Sequence, residues 1–300
     1  MIVKCTDLCK AYGKKNVLDG LTFCIEENSI TGLIGRNGSG KTTLMKILNG
    51  TLPKTSGETL VLGQEPVNNI DVLKNMVYSI HNYPYEENLK LKYILKIYEE
   101  MFENFDMDFA KKLLDFFKLE EKMRYKALSL GMKSMFNFSV ALATRSKITM
   151  LDEPVLGMDA AVRKDMYDIL LRDYYENPRT FIISSHLLNE LETVLSDILL
   201  IGDNKVILHD NIDNIRGMAY RVDGDIRSLE KFAYGKEILS KRQGEVQTYM
   251  IIKERINEEV KRKASEFDIK VSTLRAEEIC IYLTGQEKEA DLECLWTDKN

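Results

Sequence analysis

The strongest constraint on this chain is the segment at residues 35–42, GRNGSGKT, which fits the pattern G-x-x-x-x-G-K-[ST]. The apolar run ITGLI precedes it, and Leu44, Ile47 and Leu48 follow at helical spacing. Glycines in a loop between a strand and a helix leave successive backbone N–H groups free to point at phosphate oxygens. The alternative, a flexible Gly/Ser turn, is disfavoured by the flanking strand and helix.

The residue types in this loop suit the phosphates of a nucleotide. Lys41 would add a point charge at the β and γ phosphates, and Thr42 would offer a hydroxyl to Mg²⁺. The helix that begins near Gly40 directs its positive end at the same anion. The other predicted nucleotide contacts in the loop are Gly35, Asn37, Gly38, Ser39 and Thr43. We therefore expect ATP and Mg²⁺ as ligands.

A second run, at residues 148–154, is an apolar strand that ends in two carboxylates before a proline. In an open α/β sheet, the carboxyl ends of the strands face the ligand. Asp152 should hold Mg²⁺ through its water shell, and Glu153 is placed to orient or deprotonate an attacking water. An acidic pair before proline is often no more than a strand end, but downstream of a phosphate loop it predicts hydrolysis.

Composition excludes several functional classes. Hydrophobic residues make up 44% of the chain and charged residues 30%, which is typical of a globular protein with a sizeable core. The net charge of -5 gives no basic surface for nucleic acid. No run approaches the roughly 18 apolar residues of a membrane-spanning helix, and residues 1–10 do not resemble a signal peptide. We therefore expect a cytoplasmic protein. Its cysteines form no C-x-x-C pair and are expected to be reduced.

The order of apolar patterns predicts an α/β fold. Short β-rich runs at residues 2–34 suit an antiparallel layer, and residues 86–130 carry the helical spacing of an all-helical insertion. Alternating strands and helices from residue 148 to 201 predict a parallel sheet covered by helices. Residues 1–215 should therefore form a P-loop NTPase cassette.

A smaller domain is predicted after the cassette. Residues 216–285 alternate in the order βαββαβ, which is typical of a ferredoxin-like α+β domain. This accessory domain could stabilise a dimer or sense a ligand. Residues 286–300 form a polar tail.

The segment LSLGM at residues 128–132, just upstream of the acidic strand, resembles the signature of ATP-binding-cassette (ABC) proteins, and the resemblance covers roughly residues 2–215. The family's signature, L-S-G-G-Q, binds the γ-phosphate of ATP held by the other cassette of a head-to-tail dimer. The resemblance implies that Ser129 supplies a hydroxyl and Gly131 an unhindered N–H, whereas Leu130 and Met132 depart from the consensus. Without this context, Ser129 would be interpreted as an ordinary helix N-cap.

The resemblance assigns four further positions. Asp159 corresponds to the family's D-loop, although a helix cap is the alternative. His186 matches the switch histidine near the γ-phosphate and Glu153. Tyr12 resembles the residue that stacks on adenine, or else packs on the core. His81 stands where the family has a glutamine that reaches Mg²⁺ and water, and Asn82 could take that role instead.

The resemblance implies the ATP-binding and hydrolysing subunit of an ABC transporter, similar to bacterial exporters and antibiotic-resistance transporters. Such a subunit works as a homodimer or heterodimer of cassettes with a membrane permease on a separate chain. It is held at the inner face of the cell membrane by that partner. The alternative is a non-transport or regulatory ABC ATPase that binds ATP as a switch and hydrolyses it slowly.

Overall fold

The computed structural model describes residues 1–81, 83–86, 88–186, 188–244 and 247–284. The predictions for Asn82 and the tail at 286–300 lie outside these residues. The chain forms two compact units, divided between His209 and Asp210. Among the described residues no helix is both long and apolar enough to cross a membrane.

The first unit contains nine strands, seven α-helices and a 3₁₀-helix at Tyr125–Ala127 among its described residues. Its strands are β1 Val3–Tyr12, β2 Lys15–Ile25, β3 Ile30–Ile34, β4 Ser56–Val61, β5 Met76–Ile80, β6 Ile148–Asp152, β7 Thr180–Ser185, β8 Asp197–Gly202 and β9 Lys205–Asn211. Its helices are α1 Lys41–Leu48, α2 Ile70–Leu73, α3 Leu91–Met101, α4 Met107–Phe116, α5 Leu130–Ala143, α6 Ala160–Glu176 and α7 Leu188–Leu191.

Two sheets give the first unit its architecture. The larger sheet has the strand order β5-β6-β7-β3-β8-β9, and β5, β6, β7, β3 and β8 pair in parallel. The smaller sheet, β2-β1-β4, is antiparallel. Every residue of β3, β6 and β7 is buried, as expected for parallel strands covered on both faces. The predicted α/β fold is confirmed.

Among the described residues, two apolar clusters hold this unit together. The first joins the antiparallel layer to the parallel sheet through α1, with Leu8, Leu44 and Met150 among its members. The second is built by α3, α4 and α5, and Leu114 and Phe136 belong to it. Because the parallel strands all point the same way, their carboxyl ends share one edge of the sheet. That edge receives the phosphate loop after β3 and the carboxylates after β6.

The second unit is an antiparallel sheet with helices. Its elements are α8 Ile212–Arg216, β10 Tyr220–Asp223, α9 Ile226–Phe232, β11 Ile238–Gln243, β12 Thr248–Ile252, α10 Glu258–Glu266, β13 Lys270–Thr273 and α11 Ala276–Leu283. The strand order is β11-β12-β10-β13, and all neighbours are antiparallel. From β10 to β13 the elements follow the predicted βαββαβ order. Helices α8 and α11 were not predicted, and they pack together.

A buried ion-pair network lies in the first unit around Asp173 of α6. Arg179 donates to one carboxylate oxygen over 2.6 Å, and Arg145 donates to the other. Arg145 also reaches Asp106, the N-cap of α4, over 3.0 Å. Only 3% of the Asp173 side chain and 6% of the Arg179 side chain is exposed. The network therefore ties the helical region to the segment that enters β7.

Replacing Asp173 with alanine should destabilise the first unit strongly. Two guanidinium groups would lose a shared partner while one of them stays buried, which costs about 3–5 kcal/mol of unfolding free energy. Urea denaturation followed by circular dichroism measures the change. Glu176→Ala removes only the exposed partner of Arg172 and should change stability by no more than about 0.5 kcal/mol. Equal urea midpoints for the two variants would show that the ion pairs of Asp173 do not stabilise this unit.

Candidate functional site

The loop between β3 and α1 is packed so closely that two of its glycines have no room for a side chain. A Cβ at Gly35 would lie 2.4 Å from the Ile201 carbonyl oxygen and 2.6 Å from Ser39 Oγ. Gly40 has a φ of +100°, and its Cβ would approach Leu18 Cδ2 to 2.6 Å. The turn therefore requires glycine at both positions, for space and, at Gly40, for backbone conformation.

Lys41, the first residue of α1, folds back into the loop. Its Nζ donates to the Gly35 carbonyl over 2.6 Å and to the Arg36 carbonyl over 3.2 Å. Burial lowers the pKa of Lys41, while the carboxylates of Glu153 and Asp152 act in the opposite direction. Because β3 and β6 are parallel strands of one sheet, the loop and the end of β6 lie at the same edge, where both acids act on the ammonium group.

The carboxylate of Asp152 is held from both sides by hydroxyl groups. Tyr78 on β5 donates to Oδ2 over 2.9 Å, and Ser184 on β7 donates to Oδ1. These strands are the two neighbours of β6, and Ser184 is paired with Asp152 in the register. Burial, with the nearby Asp152 charge, raises the pKa of Tyr78, so its hydroxyl stays protonated and remains a donor.

Sequence reasoning did not assign these roles to Tyr78 and Ser184. Ser184 lies in the region of predicted alternating strands and helices and Tyr78 lies three residues before His81, but neither belongs to a pattern with Asp152. The signal that could have found them is that both are hydroxyl residues near the carboxyl end of a strand. Parallel strands bring such ends together even when the residues are far apart in sequence.

Glu153 has an unusual backbone conformation, and hydrogen bonds hold both its backbone and its carboxylate. Its φ is +49°, in the left-handed region that few non-glycine residues adopt. Its N–H donates to the Ser184 hydroxyl over 3.0 Å and lies 3.2 Å from the Ser184 carbonyl. Its Oε2 is 2.9 Å from Nδ1 of His186. The structure thus brings together Lys41, Asp152, Glu153 and His186, whose catalytic roles stay predictions.

The signature segment lies at the start of α5. Ser129 is exposed and caps this helix, accepting the Met132 N–H over 3.3 Å. A Cβ at Gly131 would be 3.2 Å from the Gly157 carbonyl oxygen, and one at Gly157 would be 3.0 Å from Leu130 Cδ2. Leu130, one of the two residues that depart from the consensus, therefore packs beside the segment that leads to Asp159.

Asp159 caps α6, since its side chain accepts the Val162 N–H over 3.0 Å. Arg163, in the first turn of α6, donates to both oxygens of Glu190 over 2.7 Å and to the Met158 carbonyl over 2.7 Å. Both Ser129 and Asp159 thus have the cap role that was their alternative interpretation. Both residues are exposed at the start of their helices.

The remaining predicted contacts lie around the loop. Tyr12, at the end of β1, is 51% exposed, which leaves ring surface open for stacking, and Lys10 Nζ lies 5.0 Å from its ring centroid. Asn37 and Gly38 form the exposed loop tip, Thr42 is exposed and Thr43 is half-buried.

His81 follows β5 at the same edge as Glu153, because Ile80 pairs with Asp152. It is half-buried, and its carbonyl accepts a hydrogen bond from Asn137. Among the described residues, the side chain of β5 that bonds to Asp152 is that of Tyr78. The role of His81 at the magnesium ion stays a prediction.

The donor set fits a magnesium nucleotide. Ser39 Oγ is buried and has no hydrogen-bond partner among the described residues, although it lies inside the phosphate loop. A buried hydroxyl of this kind is expected to be satisfied by a ligand. The hydroxyl of Thr42 and the carboxylate of Asp152 are oxygen donors, the type that Mg²⁺ prefers.

A glycine-rich phosphate loop and two carboxylates on one edge of a mostly parallel sheet define a nucleotide-hydrolysing enzyme of the P-loop class. A family model described as "ABC transporter" matches residues 18–156. The "Uncharacterized ABC transporter ATP-binding protein YcbN" of Bacillus subtilis is 33% identical over 223 residues, covering 72% of this chain and 71% of that protein. The chain therefore belongs to the ABC transporter family, as an ATP-binding subunit.

Two further comparisons agree with this assignment. The "Bacitracin transport ATP-binding protein BcrA" of Bacillus licheniformis is 30% identical over 218 residues, covering 72% of this chain and 71% of that protein. A solved structure titled "Structure of ATP binding subunit of ABC transporter" has the same fold, with a TM-score of 0.66 at 22% identity, covering 72% of this chain and 92% of that one. ATP with Mg²⁺ is the family's ligand, and ATP hydrolysis is its general activity.

Replacing Tyr78 with phenylalanine should weaken the use of Mg²⁺ without weakening nucleotide binding itself. Asp152 would lose one of two donors that orient it, and such losses typically change metal affinity by about tenfold or more. The measurements are the Mg²⁺ concentration at half-maximal hydrolysis and the affinity for ATP in EDTA.

Tyr167→Phe is the matched control, because Tyr167 is buried and its hydroxyl has no hydrogen-bond partner among the described residues. It should leave the Mg²⁺ requirement at the wild-type value. If Tyr78→Phe behaves like this control, the Tyr78 hydroxyl does not orient Asp152 for the metal.

Proposed function

We propose that this chain is the motor subunit of an exporter, in which two cassettes enclose two MgATP molecules. Each nucleotide is held by Lys41, Thr42 and Asp152 of one chain and by Ser129 and Gly131 of the other. The observation that carries this proposal is the 2.9 Å contact between Glu153 and His186, beside the Lys41 ammonium and the Asp152 carboxylate. This arrangement has an acid–base pair next to a phosphate-binding loop.

In the proposed reaction, water attacks the γ-phosphorus and ADP leaves. Glu153 takes the proton from the attacking water, and its carboxylate is held in place by the backbone bonds to Ser184 and by His186. His186 steadies the γ-phosphate through its ring, and Lys41 meets the charge that develops on the phosphate oxygens. Thr42 and Asp152 would hold Mg²⁺, which when bound neutralises charge on the phosphates.

The second chain supplies the other wall of the site. Ser129 stands exposed at the start of the fourteen-residue helix α5, where free N–H groups and the helix dipole favour a phosphate. Gly131 would offer its own N–H to the same phosphate. Nucleotide would therefore hold two cassettes together, and hydrolysis would let them separate.

We assign the membrane-spanning part to a separate permease chain, which would hold this cytoplasmic subunit at the inner face of the cell membrane. Export is favoured because one relative is named a bacitracin transport protein. The regulatory alternative, with slow hydrolysis, is not favoured by these names. The second unit, with its βαββαβ order, is proposed as a ferredoxin-like accessory domain that stabilises pairing.

Replacing Glu153 with glutamine should separate binding from hydrolysis. Loss of the general base should lower turnover by about 10²–10⁴-fold, while the affinity for ATP stays near that of the wild type because the loop is intact. Phosphate release and fluorescent-nucleotide binding measure the two effects.

Lys41→Ala provides the contrast, since it removes the charge in the loop and should abolish binding as well as turnover. Unchanged phosphate release by Glu153→Gln would show that the base has been assigned wrongly.

A further inference from the structure

Asn137 is a buried amide on α5 that the proposed reaction does not use. Only 4% of it is exposed, and it lies two turns after the phosphate-binding end of this helix. Its Nδ2 donates to the carbonyls of Ile80 over 2.8 Å and of His81 over 3.3 Å. A single side chain on α5 therefore contacts the end of β5 at the edge where the carboxylates lie.

The orientation of this amide follows from its partners. Two carbonyl oxygens can only be met by the NH₂ group, so Oδ1 must point away from them. Oδ1 is buried and has no hydrogen-bond partner within the described part of the chain. A leucine would fill nearly the same volume but would leave the Ile80 and His81 carbonyls without this donor. The amide therefore joins α5 to the end of β5, although its own acceptor is unpaired among the described residues.

Tyr125 extends the contact to the chain beyond His81. Its hydroxyl accepts from Asn137 Nδ2 over 2.9 Å and from the Tyr83 N–H over 3.2 Å. The ring of Tyr125 packs edge-on against Tyr85, with centroids 4.7 Å apart, and against Phe136 of α5. The two N–H groups of the Asn137 amide are thus shared among three acceptors, one of which, the Tyr125 hydroxyl, also accepts from Tyr83. These bonds connect α5 to Ile80 and His81 directly and to Tyr83 through Tyr125.

We propose that Asn137 is a positioning residue that makes the Ser129 end of α5 and the turn carrying His81 move as one body. This inference rests on the proposed pairing of two cassettes. In that pairing, Ser129 contacts the nucleotide of the partner chain, whereas His81 lies beside the nucleotide of its own chain. Closure of one ATP site then sets the position of His81 in the other, so each chain carries a link between the two sites.

The test is steady-state hydrolysis by the full-length Asn137→Leu variant. We expect turnover to fall about tenfold, the size of a typical coupling between sites. Nucleotide affinity should stay within about twofold of wild type because no phosphate contact is removed. Ser134→Ala is the control on the same helix, since the Ser134 hydroxyl is buried without a partner among the described residues. It should keep wild-type turnover.

A double-mutant cycle with His81→Ala separates this role from a structural one. If Asn137 acts through His81, Asn137→Leu should change the turnover of the His81→Ala protein by less than about twofold. Equal effects of Asn137→Leu in both backgrounds would overturn the proposal. Where Asn137→Leu does not fold, Tyr125→Phe takes its place, because it removes the bridging hydroxyl and keeps the ring.

Failure of this inference can be told from failure of the proposed function. Glu153→Gln with MgATP should dimerise in light scattering. If it stays monomeric, the paired arrangement is wrong and the link between sites falls with it. If it dimerises while Asn137→Leu turns over ATP like Ser134→Ala, only the role of Asn137 is overturned.

Discussion

The carboxylate of Asp152, held by one hydroxyl from each neighbouring strand, is the interaction on which the rest of the site depends. Parallel pairing of β5, β6 and β7 places Tyr78 and Ser184 on either side of it. The same Ser184 hydroxyl accepts a hydrogen bond from the N–H of Glu153. Ser184 therefore holds both the carboxylate of Asp152 and the backbone of Glu153. A shift of one strand by one residue would turn these side chains to the other face of the sheet and dismantle the site.

Patterns that are local in sequence were predictable, and contacts between distant segments were not. The phosphate loop, the acidic strand end and the βαββαβ order each occupy one continuous segment, so spacing and residue type reveal them. Tyr78, Ser184 and Asn137 gain their roles from strand register and helix packing, which no short pattern encodes. Asn137 in particular lies on a helix whose neighbouring residues are mostly apolar and buried, where its spacing predicts core packing.

One departure from the family signature, Leu130, makes a specific packing contact in this structure. Leu130, where the consensus has glycine, packs beside Gly157 and so joins the signature to the segment before Asp159. At the start of the helix, Ser129 is exposed and Gly131 is half-buried. The two residues proposed to bind phosphate therefore match the family's residue types, whereas Leu130 does not.

The central claim is that each ATP site is completed by a serine from a second chain, and mixing two inactive variants tests it most directly. Lys41→Ala damages only the loop and Ser129→Ala only the signature, so a mixed dimer contains one site with both parts intact. The account predicts that each variant alone is inactive and that the mixture recovers hydrolysis, up to roughly a quarter of wild type by statistical pairing. A mixture as inactive as its components would contradict it.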